Sequence, residues 1–269
     1  MCRSSALLKE SNLPPVTTRS TPERLSRPQQ VAEAIKSWVM ANGWGPGARL
    51  PSEADLIARF GMAKGTIREA IRILEAQGLV KSRTGPGGGV FVHQVSDARA
   101  TALLGNYFYF QQLTIDDLYQ IRAALEPELA ASLAGKLTEG ELAALKEVMS
   151  AYVRPAEDAE EERAQHIASL RFHALLAEFS DNPLLRFLIR FTATMLSDIT
   201  VSRRLYAQPN HELWSSGLAY QSRLLEALRA GEGETARRVM AEHMANAQRL
   251  MRLQESVLTQ RFLPEGRVL

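Results

Sequence analysis

The sequence predicts a mainly α protein in two parts: an N-terminal winged helix-turn-helix, then an all-α antiparallel helical bundle. Three observations point there. Residues 26–95 read as three helical segments followed by a short hairpin. From about Thr101 to Phe262 apolar residues recur at helical spacing with no convincing strand. The charge also divides between the two parts.

The first helix starts near Pro28, where Val31, Ile35, Trp38 and Val39 recur at helical spacing, and Asn42-Gly43 is a plausible stop. Gly45-Pro46-Gly47 reads as a turn. Ser52 precedes a short helix to Phe60, with Asp55 placed for a capping box, and Gly61 breaks it. A third helix runs from about Lys64 to Gln77 with Ile67, Ala70, Ile71 and Leu74 on one face, and Gly78 ends it. Residues 79–83 and 90–92 are strand-like around the glycine-rich turn 84–89. Residues 96–102 read as a junction. Beyond it, amphipathic stretches cover 115–134, 139–153, 160–179, 183–201, 217–230 and 234–258, so six or seven helices are expected. The resulting division is an arm over 1–25, a winged helix-turn-helix domain over 26–95, an all-helical domain over 96–262, and a tail over 263–269.

The 269 residues carry a net charge of +2 that hides an asymmetry. Residues 26–95 hold nine basic against five acidic groups, residues 1–25 four against two, and the remainder 19 against 23. A basic module on a mildly acidic body suits a phosphate-binding head joined to a sensor. The one cysteine, Cys2, cannot form an internal disulfide, and the N-terminus lacks the apolar core of a signal peptide. With no apolar run approaching a membrane span, a cytoplasmic protein with no membrane partner is expected.

The third helix has what a major-groove helix needs, an apolar face for its own domain and a polar face for DNA. Lys64, Thr66 and Arg68 at its N-terminal end are the candidates for base edges, with Arg72 one turn on. Ser52 and the amides of Glu53 and Ala54 offer a phosphate seat, and Thr84 and Gly85 form the tip of the hairpin. The glycine-rich loop leads into a strand, not a helix, so it lacks the context of a nucleotide-binding P-loop.

These residues carry a resemblance. Gly47-Ala48-Arg49-Leu50-Pro51-Ser52-Glu53, Phe60-Gly61, Thr66-Ile67-Arg68-Glu69-Ala70-Ile71 and Gly89-Val90-Phe91-Val92 closely resemble the winged-helix domain of the GntR family. The resemblance implies dimeric binding to a short palindrome in double-stranded operator DNA. It places Arg49 and Arg68 at typical arginine positions and Thr66 at a frequent contact. Ala54 and Lys64 stand where many relatives have arginine, which removes bidentate guanine readout there.

The second part resembles the FCD ligand-binding domain of FadR-like members, through Leu118-Tyr119-Gln120-Ile121-Arg122, Phe172-His173-Ala174-Leu175-Leu176, Asp181-Asn182-Pro183 and Leu224-Leu225-Glu226-Ala227-Leu228. The resemblance implies a bundle around a pocket that holds a small carboxylate and often a divalent metal. The four usual metal positions fall on Ser169, His173, Gln221 and His243, of which serine and glutamine are poor ligands. His173 and His243 are therefore metal-free pocket walls, ligands of a weakened zinc or nickel site, or ordinary core histidines. Arg122, His173, Gln221 and His243 are the candidate effector contacts, and Arg122 is the natural carboxylate partner. Its competing role is an i,i+4 pair with Glu126.

The function expected is a ligand-responsive repressor, released by a small organic acid. Two other classes fit the sequence less well. An enzyme with a His-containing bundle site lacks any HExxH, nucleophile elbow or compact carboxylate cluster. A structural DNA-binding protein has no use for so large a helical body.

Overall fold

The structure is a computed structural model that describes residues 25–203, 205 and 210–261, with side chains to residue 256. The arm expected over 1–25, Leu25 apart, and the tail over 263–269 lie outside the described residues, as does Cys2. The chain divides into two compact units between Ser96 and Asp97.

In the first unit, helix α1 (Arg27–Ala41) begins at a Ser26–Gln29 capping box with Pro28 in its first turn. Its buried Val31, Ala32 and Ile35 pack on α3 (Lys64–Ala76), which contributes Ile67, Ala70, Ile71 and Leu74. Between them, α2 (Glu53–Phe60) has the expected Ser52–Asp55 capping box and ends on Gly61. Gly61 has φ +62°, a conformation that costs a residue with a Cβ. Strands β1 (Val80–Arg83) and β2 (Gly89–Val92) pair antiparallel, with Val80 opposite Val92 and Arg83 opposite Gly89. A further contact that no local pattern encodes joins the segment before α2 to the hairpin: Leu50 N donates to the Val90 carbonyl and Val92 N to that of Ala48. This lays Arg49 alongside β2.

The second unit is all helical: α4 (Asp97–Tyr109), α5 (Ile115–Leu133), α6 (Glu139–Ser150), α7 (Ala159–Glu178), α8 (Pro183–Ser202), α9 (His211–Ala230) and α10 (Gly233–Arg261). Two expectations need correction. Residues 97–102, expected as part of a junction, form the first turns of α4. Helix α9 starts six residues before the expected Gly217, because Asn210 caps it by accepting from Leu213 N.

Helix α5 is the central strut. It buries Leu118, Tyr119, Arg122, Glu126, Leu129 and Leu133 among others, and packs most extensively on α10. Gln248 donates to Asp116 at 3.1 Å and Arg237 to Glu128 at 2.8 Å along that contact. Pro127 sits inside α5, one residue after a buried carboxylate. Buried Phe172 and Leu176 of α7, Leu196 of α8, Leu224 and Leu228 of α9, and Met240 and Met244 of α10 complete the core. This packing brings polar side chains of four helices, α5, α7, α9 and α10, to one interior point.

Candidate effector pocket and nucleic-acid interface

On the first unit, the predicted DNA-contacting side chains are exposed or half-exposed on α3, at the α2 start and on the hairpin. They are not all free. Glu53, the first residue of α2, holds Arg68 Nε at 2.7 Å and Lys64 Nζ at 3.4 Å. The hydrogen bond from Arg68 keeps the Glu53 carboxyl below its usual range. Arg68 thus spends Nε on Glu53, and its two terminal amino groups remain for a ligand. Arg72 pairs with Glu69 at 3.1 Å.

Arg49 donates through Nη2 to the Gly88 carbonyl at 2.6 Å, bracing the hairpin turn. Gly89 has φ +151°, a conformation that favours glycine, and a Cβ there would stand 2.8 Å from Arg49 Nε and displace that side chain. The Ser52 hydroxyl is engaged with Asp55, donating to its carboxylate at 2.6 Å and accepting from its amide. A phosphate at this helix end would therefore meet backbone amides rather than the serine side chain. Thr84 and Gly85 form the exposed tip, with Gly85 at φ +91°.

In the second unit the structure gathers Arg122, His173, Gln221 and His243 around one residue the sequence offered only as a competitor, Glu126. Arg122 Nε donates to Glu126 Oε1 at 2.5 Å, and His173 Nδ1 lies 2.5 Å from Glu126 Oε2. His173 Nε2 is 3.2 Å from His243 Nε2, and the two rings stack at 5.1 Å. Gln221 donates from Nε2 to Ser169 Oγ at 3.2 Å and lies 3.4 Å from His173 Nε2. Its carbonyl accepts from the Tyr152 hydroxyl at 2.8 Å. Tyr152 is in turn fixed by Trp214, whose indole N–H donates to the Tyr152 carbonyl at 2.8 Å. Tyr152 and Trp214 carried no signal in the sequence, since neither shares a motif with the histidines.

Arg122 and Glu126 are 2 % and 1 % exposed, so the ion pair is fully desolvated. Burial alone would raise the Glu126 carboxyl, but Arg122 and then His173 outweigh it and hold the group to about 2. Burial depresses His173, His243 and His166, the last to about 4, and Arg122 pushes each in the same direction. The cluster is therefore one cation, one carboxylate and neutral imidazoles. An ionised Glu126 only accepts, so His173 Nδ1 carries the proton and its Nε2 is a lone pair. His243 Nε2 then donates to that lone pair.

Against the cluster lies a cavity of about 50 Å³. Arg122, Glu162, Gln165, His166, Ser169, His173 and His243 supply polar wall, the Glu162 carboxyl being raised by burial, and Leu170, Trp214, Leu218 and Met244 supply apolar wall. Gln221 belongs to the cluster but is fully buried behind the cavity wall, not on it.

The fit for a divalent metal is poor. The His173 and His243 Nε2 atoms are separated as two imidazoles are on one ion with bonds of about 2.0–2.1 Å. No carboxylate joins them, because both Glu126 oxygens are committed to Arg122 and His173. Gln221 turns an N–H toward His173, and the Arg122 cation lines the same cavity. Among the described residues no group of three or more His, Cys, Asp or Glu side chains is arranged to hold a metal. Nor, among them, is any helix long and apolar enough to cross a membrane.

Residues 27–92 match the family model described as bacterial regulatory proteins, gntR family, and residues 117–246 match the FCD domain. The chain is similar to the HTH-type transcriptional regulator LutR of Bacillus subtilis, 26% identical over 76% of this chain and 91% of that one. It is similar to a putative L-lactate dehydrogenase operon regulatory protein of Escherichia coli, 26% identical over 83% and 85% of the two chains. It is also similar to the HTH-type transcriptional repressor NanR of Salmonella schwarzengrund, 26% identical over 80% and 81%. Among solved structures, a GntR protein of Streptococcus agalactiae superimposes with a TM-score of 0.57, covering 82% of this chain and 99% of its own at 23% identity, a likeness of fold. A winged helix-turn-helix of the gntR type followed by an FCD domain is the build of a ligand-responsive DNA-binding regulator and not of an enzyme: the chain belongs to the GntR family of bacterial transcription regulators.

Proposed function

We propose that the protein is a cytoplasmic repressor that binds a short palindromic operator as a homodimer and releases it when a small organic acid enters the second unit. The observation that carries the acid is Arg122. Its Nε is neutralised by Glu126, yet its Nη2 is buried at the cavity with no partner from the protein. A buried guanidinium amino group without an acceptor costs free energy that an incoming carboxylate recovers.

Arg49, Lys64, Thr66, Arg68, Arg72, Thr84 and Gly85 make up the DNA surface in this reading, with the amides after Ser52. One winged helix reads few bases, so useful affinity requires two heads on adjacent half-sites. Helix α4 supports pairing, since none of its residues is buried and Leu103, Tyr107 and Tyr109 are exposed. The repressor sign follows the name of the NanR relative. The donor set favours acid binding without a metal.

Thermal unfolding of the full-length protein tests this. A carboxylate effector at about 100 times its Kd adds about 2.7 kcal/mol, a midpoint rise of roughly 5–11 °C for a domain of this size. The rise should survive a chelator. A midpoint that falls with chelator alone and returns with zinc or nickel would overturn the metal-free reading.

A further inference from the structure

The hairpin of the first unit is held along both of its edges, and the two holds are unlike. On the β2 side the backbone of residues 48–50 runs alongside, with Leu50 N bonded to the Val90 carbonyl and Val92 N to that of Ala48. Arg49 braces the turn on the same side, at Gly88. The β1 side has a side chain instead. Ser82, opposite Val90, spends its backbone N–H not on β2 but on Glu75 Oε1, at 2.7 Å, and Glu75 lies in the last turn of α3.

Backbone bonds fix the base of the hairpin against α3, since Leu79 N donates to the Leu74 carbonyl and His93 N to that of Leu79. Farther out the packing opens. A groove of about 320 Å³ lies between the two, lined by Ile67, Ile71 and Arg72 of α3 and by Ser82 and Val90 of the hairpin. Glu75 spans it. A two-stranded ribbon has little stiffness of its own, so its tilt beside an open groove is set by what crosses that groove. The tip, Thr84 and Gly85, begins two residues past Ser82, about 7 Å along the chain. Glu75 itself stands about 14 Å of helix beyond Thr66, far from the end of α3 assigned to the bases. Its carboxylate also has the wrong sign to hold a phosphate. Any effect of Glu75 on DNA must therefore pass through the hairpin.

Resting on the reading of Thr84 and Gly85 as DNA contacts, we propose that Glu75 is a positioning residue for operator recognition. By holding Ser82 it fixes the reach of the hairpin tip relative to the N-terminal end of α3, so that both engage one half-site at a set spacing.

Fluorescence anisotropy of full-length variants tests this on two duplexes, one enriched from a random pool by the wild type and one random. Glu75→Met keeps the stem but has no acceptor, and should lower the ratio of enriched to random affinity at least about 5-fold, the worth of one misread base pair. Glu75→Gln keeps an acceptor and loses the charge, so its ratio should stay within about twofold of wild type. Thr84→Glu puts a negative charge on the tip and should weaken binding to the enriched duplex at least about 5-fold where the tip is held on DNA. In Glu75→Met that penalty should shrink to under about twofold, because a freed hairpin swings away. Ser82→Pro, which removes the donor, replaces Glu75→Met if a melt shows the latter unfolded. An unchanged ratio in Glu75→Met, an equal loss in Glu75→Gln, or a full Thr84→Glu penalty in both backgrounds would overturn the proposal and leave the tip on the DNA. No Thr84→Glu penalty in the wild type would instead take the tip off the DNA surface, and the proposal would fall with that reading.

Discussion

Burying Arg122 and Glu126 together takes two charges out of water, a cost several kcal/mol deep for each ion before their attraction repays it. The pair is tolerated because every atom of the Glu126 carboxylate is used, one oxygen by Arg122 and one by His173. That arrangement makes stability depend on pH in a defined window. The histidines are depressed in the fold from an ordinary 6.5, His166 to about 4, so their contribution is complete above about 6.5 and is lost as pH falls below it. Glu126 is depressed from 4.5 to about 2, so its contribution is lost only as pH falls further, through that interval. The unfolding midpoint should therefore be steady near pH 7–8, fall between about pH 6.5 and 4, and fall again below that. Denaturation monitored by circular dichroism from pH 8 to 3 checks the order. A midpoint unchanged down to pH 4 would contradict the buried neutral histidines.

At the scale of elements, the recognition helix and its neighbour are coupled by one carboxylate. Glu53 holds both Lys64 and Arg68, so it fixes where Arg68 presents its terminal amino groups and also places negative charge near the DNA surface. Replacing it should separate the two effects. Glu53→Ala is expected to raise affinity for random duplex, by removing repulsion from phosphates, and to lower the ratio of operator to random-duplex affinity. Binding measured on both duplexes across a salt series checks this, and an unchanged ratio would show that Arg68 needs no support.

Capping signals made most of these elements legible. Ser52–Asp55, Gly61, Gly231 and Asn182-Pro183 mark helix ends in the chain as they do in the structure. Helix α4 begins before the apolar pattern does, since Ser96-Asp97-Ala98-Arg99 has no apolar period; none of its own residues is buried, and Phe108 meets the buried Phe191 of α8 at 5.8 Å. The pocket was half legible. Arg122, His173, Gln221 and His243 stood out by family spacing, whereas Gln165 and Tyr152 join them only through the crossing of α7, α9 and the segment after α6, which no local pattern encodes.

For the whole molecule, the proposed function lies in the difference in free energy that an acid in the second unit makes to DNA binding by the first. An effector that favours one arrangement of two heads changes operator affinity by that differential, typically about 1–3 kcal/mol or 5–150-fold. The most direct test begins with selection from a random duplex pool using the full-length protein. Fluorescence anisotropy then follows the enriched duplex with and without the acid that raises the unfolding midpoint. The account predicts an enriched palindrome, bound by two chains, whose affinity falls at least about 5-fold when the acid is present. A palindrome whose affinity is indifferent to every acid that binds the protein would contradict it.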